Sequence, residues 1–196
     1  MNRFPIIPAL CAALLALPAR AAVPRLVPLH DVTIVYTVHP RDHAPLDVRV
    51  SIEAGGTNLR ITSEDLPTAF LVDRPAETAT ILLPMLKLYA TVGIGPFDPQ
   101  QTILKRAHFE RHGQEHLAGH ACTDWTATSP SGQASACITD DGVILRGSAA
   151  DRHGPLGMVR AALVDYGGLS PELFRRPPGY RNAGSLPVDG LPGGRP

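Results

Sequence analysis

Four histidines recur at intervals of four residues: His108, His112, His116 and His120. On a helix this spacing would stack the imidazoles on one face and offer ligands for Zn or Cu. Gly113 and Gly119 interrupt any continuous helix, however. The sequence therefore favours unrelated surface histidines on adjacent strands. A Zn or Cu site remains the alternative, and no other cofactor is expected.

Two cysteines, Cys122 and Cys137, lie outside the N-terminal apolar stretch and are separated by fourteen residues. A redox-active pair would have the Cys-x-x-Cys spacing that lowers a thiol pKa, and this pair lacks it. In an oxidising compartment a structural disulfide is the default interpretation. Closing a loop of this size stabilises a fold by roughly 3 kcal/mol in the chain-entropy model.

Motifs of enzymes are missing from the chain. It has no Gly-x-Ser-x-Gly elbow, phosphate loop, dinucleotide fingerprint or His-Glu-x-x-His helix. The acidic pair Asp140 and Asp141 precedes Gly142, which is the chemistry of a turn. We therefore expect a protein that is not an enzyme.

The N-terminal residues 1–21 have the pattern of a cleaved signal peptide. Arg3 supplies the positive charge, Ile6 to Leu17 form an apolar stretch, and Pro18 to Ala21 end in a small-x-small cleavage pattern. The apolar stretch is shorter than the roughly 20 residues that span a bilayer. The sequence predicts export, most simply into a bacterial periplasm, with no membrane span in the mature protein.

Charge and composition exclude some partners. The 196 residues carry 18 basic and 18 acidic groups, and removing Arg3 and Arg20 leaves 16 against 18, a formal charge of −2. No basic stripe marks a nucleic-acid binder.

Alternation of apolar and polar residues predicts a mainly β domain over residues 22–182. Expected strands are Asp31 to Val38, Leu46 to Glu53, Asn58 to Thr62, Ala69 to Val72, Thr78 to Leu83 and Val143 to Arg146. Consecutive hairpins of this kind indicate a meander that curls or is covered on one face. Residues 183–196 are rich in Pro and Gly, which predicts a flexible tail.

The two cysteines fit a hairpin. Pairing Cys122 with Cys137 places Trp125 opposite Ala134 and leaves a four-residue loop from Thr128 to Ser131. In this register Trp125 faces the core, and the disulfide lies on the more polar face.

Two segments are ambiguous between helix and strand. Asp98 to Gly113 begins with a helix-capping pattern, and a strand from Lys105 to Arg111 is equally possible. Pro155 to Tyr166 has helix-type ends, yet its residues also alternate as in a strand.

Three short runs resemble exported bacterial proteins of the domain of unknown function 4412 family: Gly119 to Trp125, Ala136 to Gly142 and Leu173 to Tyr180. That family resembles the periplasmic lipoprotein carriers, whose curved antiparallel sheet forms a half-barrel plugged by one or two short helices. The resemblance implies that Lys105 to Arg111 and Met158 to Tyr166 are strands. It also implies that Phe174 to Tyr180 packs at the sheet edge, and it transfers no active-site residue.

The strand pattern also predicts a ligand face. Its candidate residues are Ile34, Tyr36, Val48, Val50, Ile52, Leu59, Ile61 and Trp125. Such a face must be covered by the chain itself or by a ligand. We expect a binding module for an apolar small molecule or a lipid-bearing protein. The alternatives are a histidine-based metal binder and a structural accessory subunit of the cell envelope that pairs through exposed strand edges.

Overall fold

The structure is a computed structural model and describes residues 23–94 and 106–184. Within these ranges twelve strands form one sheet. The strands are β1 (Val32–Pro40), β2 (Leu46–Ile52), β3 (Asn58–Thr62), β4 (Ala69–Asp73), β5 (Thr78–Leu83), β6 (Leu88–Gly93), β7 (His108–Leu117), β8 (His120–Ser129), β9 (Gly132–Ile138), β10 (Ile144–Asp151), β11 (Gly154–Tyr166) and β12 (Arg181–Asn182).

The sheet joins two antiparallel meanders, β1 to β6 and β7 to β11, and the short β12 is added parallel to β6. Its order is β12-β6-β5-β4-β3-β2-β1-β11-β10-β9-β8-β7, so β1 and β11 pair at the junction. The predicted mainly β, open and curved antiparallel sheet is confirmed. The described residues contain short 3-10 turns, among them Ala54–Gly56, Pro84–Leu86 and Pro171–Phe174, and no α-helix.

The alternation of apolar and polar residues predicted the positions of most strands correctly. The bounds of β3 and β5 agree with the prediction, and those of β1, β2 and β4 differ by at most two residues at either end. Strand β6 was missed although Leu88, Ala90 and Val92 alternate there. Strand β10 is longer than predicted because it continues through small residues that carry little pattern.

Both ambiguous segments are mainly strands where they are described. Arg106 is a 3-10 residue, and the strand expected from Lys105 begins at His108. Residues 108–117 form β7, whereas residues 98–105 lie outside the described part of the chain. The helix alternative for Pro155 to Tyr166 is wrong, because β11 pairs with both β1 and β10. Gly157 allows the close approach to β1: a Cβ there would lie 2.7 Å from the carbonyl oxygen of His39.

The main core lies where the two meanders meet. It buries seven residues: Val32, Ile34, Cys122, Cys137, Val143, Leu145 and Ala161. A second cluster of Ala69, Leu71 and Leu82 packs against Tyr89 and Tyr180.

The Cys122–Cys137 disulfide is present, with Cα atoms 5.4 Å apart. The predicted register is wrong by two residues, because Cys137 pairs with Asp124 and Trp125 pairs with Ala136. The reason is a tighter turn: Ser129 pairs with Gly132, so two residues rather than four connect the strands. A shift of two leaves each side chain on the same face.

The expected polar setting of the disulfide is also wrong in part. Cys137 is paired with Asp124, a polar neighbour, yet Cys122 and Cys137 are 3% and 0% exposed. The two cysteines are therefore diagonal neighbours that contribute to the core.

The C-terminal segment reaches the β6 edge of the sheet, as the resemblance implied, but it also crosses the face of inner strands, because Leu173 O accepts a hydrogen bond of 3.1 Å from Arg60 on β3. The Arg176 guanidinium lies 4.3 Å from the centre of the Tyr89 ring, and Tyr180 packs on the second cluster. Beyond it, Ala183 N donates a hydrogen bond of 2.8 Å to Tyr89 O. The predicted signal peptide and residues 185–196 of the predicted tail lie outside the described residues.

Asp31 ties two connecting segments to the start of β1. Its Oδ1 accepts a hydrogen bond of 2.7 Å from Ala54 N, and its Oδ2 accepts one of 2.8 Å from Leu169 N. Both hydrogen bonds lower the pKa of Asp31, and the bond from Leu169 has the larger effect.

We expect Asp31→Asn to lower the free energy of unfolding by about 1 kcal/mol at neutral pH, because an amide NH2 cannot accept a hydrogen bond. A lowered folded-state pKa stabilises the protein above the ordinary Asp pKa, and this contribution is lost as the pH falls through the folded value. Urea unfolding should therefore separate wild type from variant at neutral pH and less at about pH 3, which is below the ordinary Asp pKa. An equal difference at both pH values would contradict this role.

Candidate functional site

Cross-strand pairing brings the predicted ligand residues of β1 to β3 onto one side of the sheet, here called the apolar face. Ile34 pairs with Val50, and Val50 pairs with Ile61. Tyr36 pairs with Val48 in the same register, and Ile52 pairs with Leu59. Directly paired residues point to the same side, so seven predicted residues share this face.

The apolar face continues across the second meander. Val38 on β1 pairs with Val159, and Val159 pairs with Gly147 on β10. Gly147 pairs with Ala136, which pairs with Trp125 on β8. The eighth predicted residue, Trp125, therefore lies on the same side as the other seven.

These paired residues form a row across the sheet from Val38 to Trp125, and the small residues in its middle leave a groove. Its volume is about 420 Å³, and we call it the apolar groove. Six of its lining residues are Val38, Ala136, Ile144, Gly147, Ala149 and Val159. These side chains offer an apolar ligand dispersion contacts. The polar lining residues His39, Ser135 and Ser148 alternate with them along the strands, so their side chains point to the other side of the sheet.

Gly147 determines the depth of the groove. A Cβ at this position would lie 3.4 Å from a methyl of Val159 and 3.5 Å from a methyl of Ile144, which is ordinary packing distance. The backbone therefore accepts a larger residue, and the space is present because the sequence has glycine there.

The predicted residues differ in how accessible they are. Ile34 is 0% exposed and belongs to the core. Tyr36 is also packed against that core, and its hydroxyl donates a hydrogen bond of 2.8 Å to Ile144 O. Burial raises the pKa of Tyr36. The other members on β2 and β3 are half-buried and line the accessible part of the face.

Trp125 lies at the far end of the row. It is 9% exposed and lines a separate cavity of about 200 Å³ with Val23, Pro24 and Arg25. The segment before β1 thus reaches this end of the apolar face.

Sequence reasoning missed the residues that line the groove. Val38 belonged to a predicted strand, but its partner Val159 lies 121 positions away in the sequence, so no local signal links them. The run Gly147 to Ala150 contains only small residues, which is the one feature that could have indicated a hollow.

The opposite side of the same strands carries a cavity of about 530 Å³. Its lining includes Arg41, Gln133, Ser135 and Ser148, and the two serine hydroxyls are 2.8 Å apart. The lining also contains Ala134, Ala150, Pro155 and Met158, so this cavity combines polar and apolar surface.

The four spaced histidines do not converge. His108, His112 and His116 lie along β7, where strand geometry separates the first and third by roughly 26 Å. The Nε2 atom of His112 is 2.9 Å from Thr126 Oγ1, and the His120 ring contacts Tyr166. A helical stack of imidazoles is therefore wrong, whereas metal uptake by individual histidines stays a prediction.

A charged cluster lies beside the disulfide. Arg146 donates hydrogen bonds of 2.9 Å to both Glu115 and Asp124. The bond from Arg146 lowers the pKa of Glu115. Ligand atoms of Glu115, Asp124 and Cys137 lie within 4.8 Å of one another, but Cys137 is bonded to Cys122. The cluster is accounted for as an ion-pair network.

No family model and no curated protein match the chain. The resemblance to the domain of unknown function 4412 family therefore stays a prediction.

Solved structures do match. An uncharacterized conserved protein from Thermus thermophilus aligns with a TM-score of 0.57 over 79% of this chain and 90% of its own, at 12% identity. The MucA/MucB complex of Pseudomonas aeruginosa gives 0.55 over 74% of this chain and 55% of the matched chain, at 12% identity. MucB alone gives 0.53 over 76% and 58%, at 15% identity. The chain thus spans little more than half the length of MucB, and the likeness shows the fold alone.

Within the described ranges, no helix has the length and apolar character needed to cross a bilayer.

Proposed function

We propose that the protein is an exported, non-catalytic binding module whose apolar groove receives an apolar ligand, such as a single acyl chain. The observation that carries the proposal is the groove of about 420 Å³ on a face of aliphatic side chains. This volume lies in the usual range of ligand sites, roughly 300 to 1,000 Å³. Export rests on the predicted signal peptide.

The chemistry of the face favours an acyl chain over a polar ligand. Each buried methylene contributes about 0.8 kcal/mol, and an aliphatic lining adds no directional requirement. The hydroxyl of Tyr36 is already bonded to Ile144 O, so it is not available to orient a polar ligand. The half-buried residues Val48, Val50 and Ile61 extend the same surface beyond the groove.

Filling the groove tests the proposal. We expect Ala136→Leu to weaken binding of a fluorescent fatty acid by about tenfold, since losing contact with two methylenes costs about that factor. The matched control is Gln133→Leu, which introduces the same side chain on the same strand but facing the opposite cavity. It should bind as wild type does.

Equal affinity of wild type, Ala136→Leu and Gln133→Leu for the fatty acid would refute the groove as the site. Circular dichroism of each variant establishes that the sheet is intact before affinities are compared.

A lipid-bearing protein is the second candidate ligand. MucB, which shares the fold, has been solved in complex with MucA, although this chain spans only 55% of that MucB chain. An acylated peptide and its unacylated counterpart distinguish the two ligands. Stronger binding of the acylated peptide than of the free fatty acid would favour the protein partner.

A further inference from the structure

The turn between β5 and β6 presents apolar side chains to solvent. It comprises Pro84 to Lys87, here called the tip, and Lys87 N donates a hydrogen bond of 3.2 Å to Pro84 O. Met85 is 85% exposed and Leu86 is 62% exposed. Tight turns usually carry Gly, Asn, Asp or Ser, so two exposed apolar residues held in a 3-10 turn need an explanation.

Another exposed apolar residue lies at the same end of the sheet. Leu66 is 48% exposed in the connection between β3 and β4. Strands β4 and β5 pair from Ala69 with Leu82, which places their neighbouring turns side by side. The apolar surface at this end therefore extends over two adjacent hairpins.

Basic groups stand beside the tip. Lys87 is exposed, and Arg181 N donates a hydrogen bond of 2.9 Å to Lys87 O, so β12 brings an arginine next to the tip. In the described part of the chain neither Lys87 nor Arg181 forms an ion pair with a carboxylate. The acidic residues Glu64 and Asp65 precede Leu66, on the side away from β12.

We propose that the tip docks on the surface of a bilayer that contains anionic phospholipids. Met85 and Leu86 enter the interfacial region, and Lys87 and Arg181 contact the phosphate groups. The acidic pair on the neighbouring turn orients the contact, because repulsion from the same headgroups brings the β6–β12 edge closest to the membrane.

A bilayer fits these observations better than a protein partner does. A stable protein interface buries about 800 Å² on each side, whereas among the described residues the exposed large apolar ones at this end are only Leu66, Met85 and Leu86 on two short connections. Interfacial anchoring needs only side chains that reach roughly 5 to 10 Å into the headgroup boundary, together with basic residues. Such a contact is weak and reversible.

The contact is tested by flotation with vesicles of phosphatidylethanolamine and phosphatidylglycerol. We expect wild type to float with these vesicles and the Met85→Ser, Leu86→Ser double variant to bind at least tenfold more weakly. The matched control is the Leu29→Ser, Leu163→Ser double variant, which removes two residues that are 49% and 52% exposed elsewhere on the molecule. It should float as wild type does.

The headgroup contact has its own test. Lys87→Gln should weaken binding to the anionic vesicles, while phosphatidylcholine vesicles should bind this variant and wild type equally. Absence of flotation by wild type, or equal flotation of the tip variant and wild type, would overturn the proposal. Fatty-acid binding by the tip variant should remain intact, so this result is distinguishable from failure of the apolar groove.

Discussion

Removing the disulfide is expected to lower the free energy of unfolding by about 3 kcal/mol, because the bond closes a loop of sequence separation 15. The variant is Cys122→Ala, Cys137→Ala. Both cysteines are buried in the main core, so the loss of sulfur packing adds to the effect of the open loop. For a protein of marginal stability this is a large part of the total, although the sheet should persist.

Reduction provides the matched control for the cysteine variant. Dithiothreitol should lower the melting temperature of wild type toward that of the double variant and leave the variant unchanged. The bond also predicts no reactive thiols from Cys122 and Cys137 in denatured, unreduced mature protein. Two labelled thiols, or a wild type insensitive to dithiothreitol, would show that the pairing is wrong.

Truncation of the core is expected to have an effect of the same size. Leu145 is 0% exposed and packs in the main core, so Leu145→Ala should lower the free energy of unfolding by about 2 to 5 kcal/mol. Urea unfolding measures the change. The loss combines the transfer free energy of the removed methyl groups with the cavity that they leave.

Leu163→Ala is the control for this substitution, since Leu163 is 52% exposed on β11. Its effect should stay within about 0.5 kcal/mol. A Leu145→Ala variant as stable as Leu163→Ala would contradict the position of the core.

Alternation predicted strands wherever one face is apolar and the other polar. Residues 46–52 alternate in this way, and the strand was found within one residue. The register of the cysteine hairpin was not found, because both a two-residue and a four-residue turn keep Trp125 and Ala136 on the same side. The turn type determines which of the two registers forms, and the alternation of apolar and polar residues carries no information about turn type.

Alternation correctly placed seven of the predicted residues on one side of the sheet, because they lie on the neighbouring strands β1 to β3 with short connections. The groove was not predicted, because its walls include β1 and β11, which pair over a long sequence separation. The same pairing explains why Pro155 to Tyr166 is a strand despite helix-type ends: two long-range partners outweigh local propensity.

The histidine pattern shows the limit of spacing arguments. An interval of four residues indicates a shared face on a helix, whereas on β7 it distributes His108, His112 and His116 along an exposed strand. The same four-residue spacing of histidines therefore has a different meaning on a helix and on a strand.

Native mass spectrometry of the exported protein, purified without detergent, tests the central claim most directly. The apolar groove predicts that wild type carries a noncovalent adduct with the mass of a lipid or fatty acid. Ala136→Leu should carry less of it, and Gln133→Leu should carry as much as wild type. Wild-type protein that is consistently free of adduct, and that remains so after incubation with fatty acid, would contradict the proposed binding function.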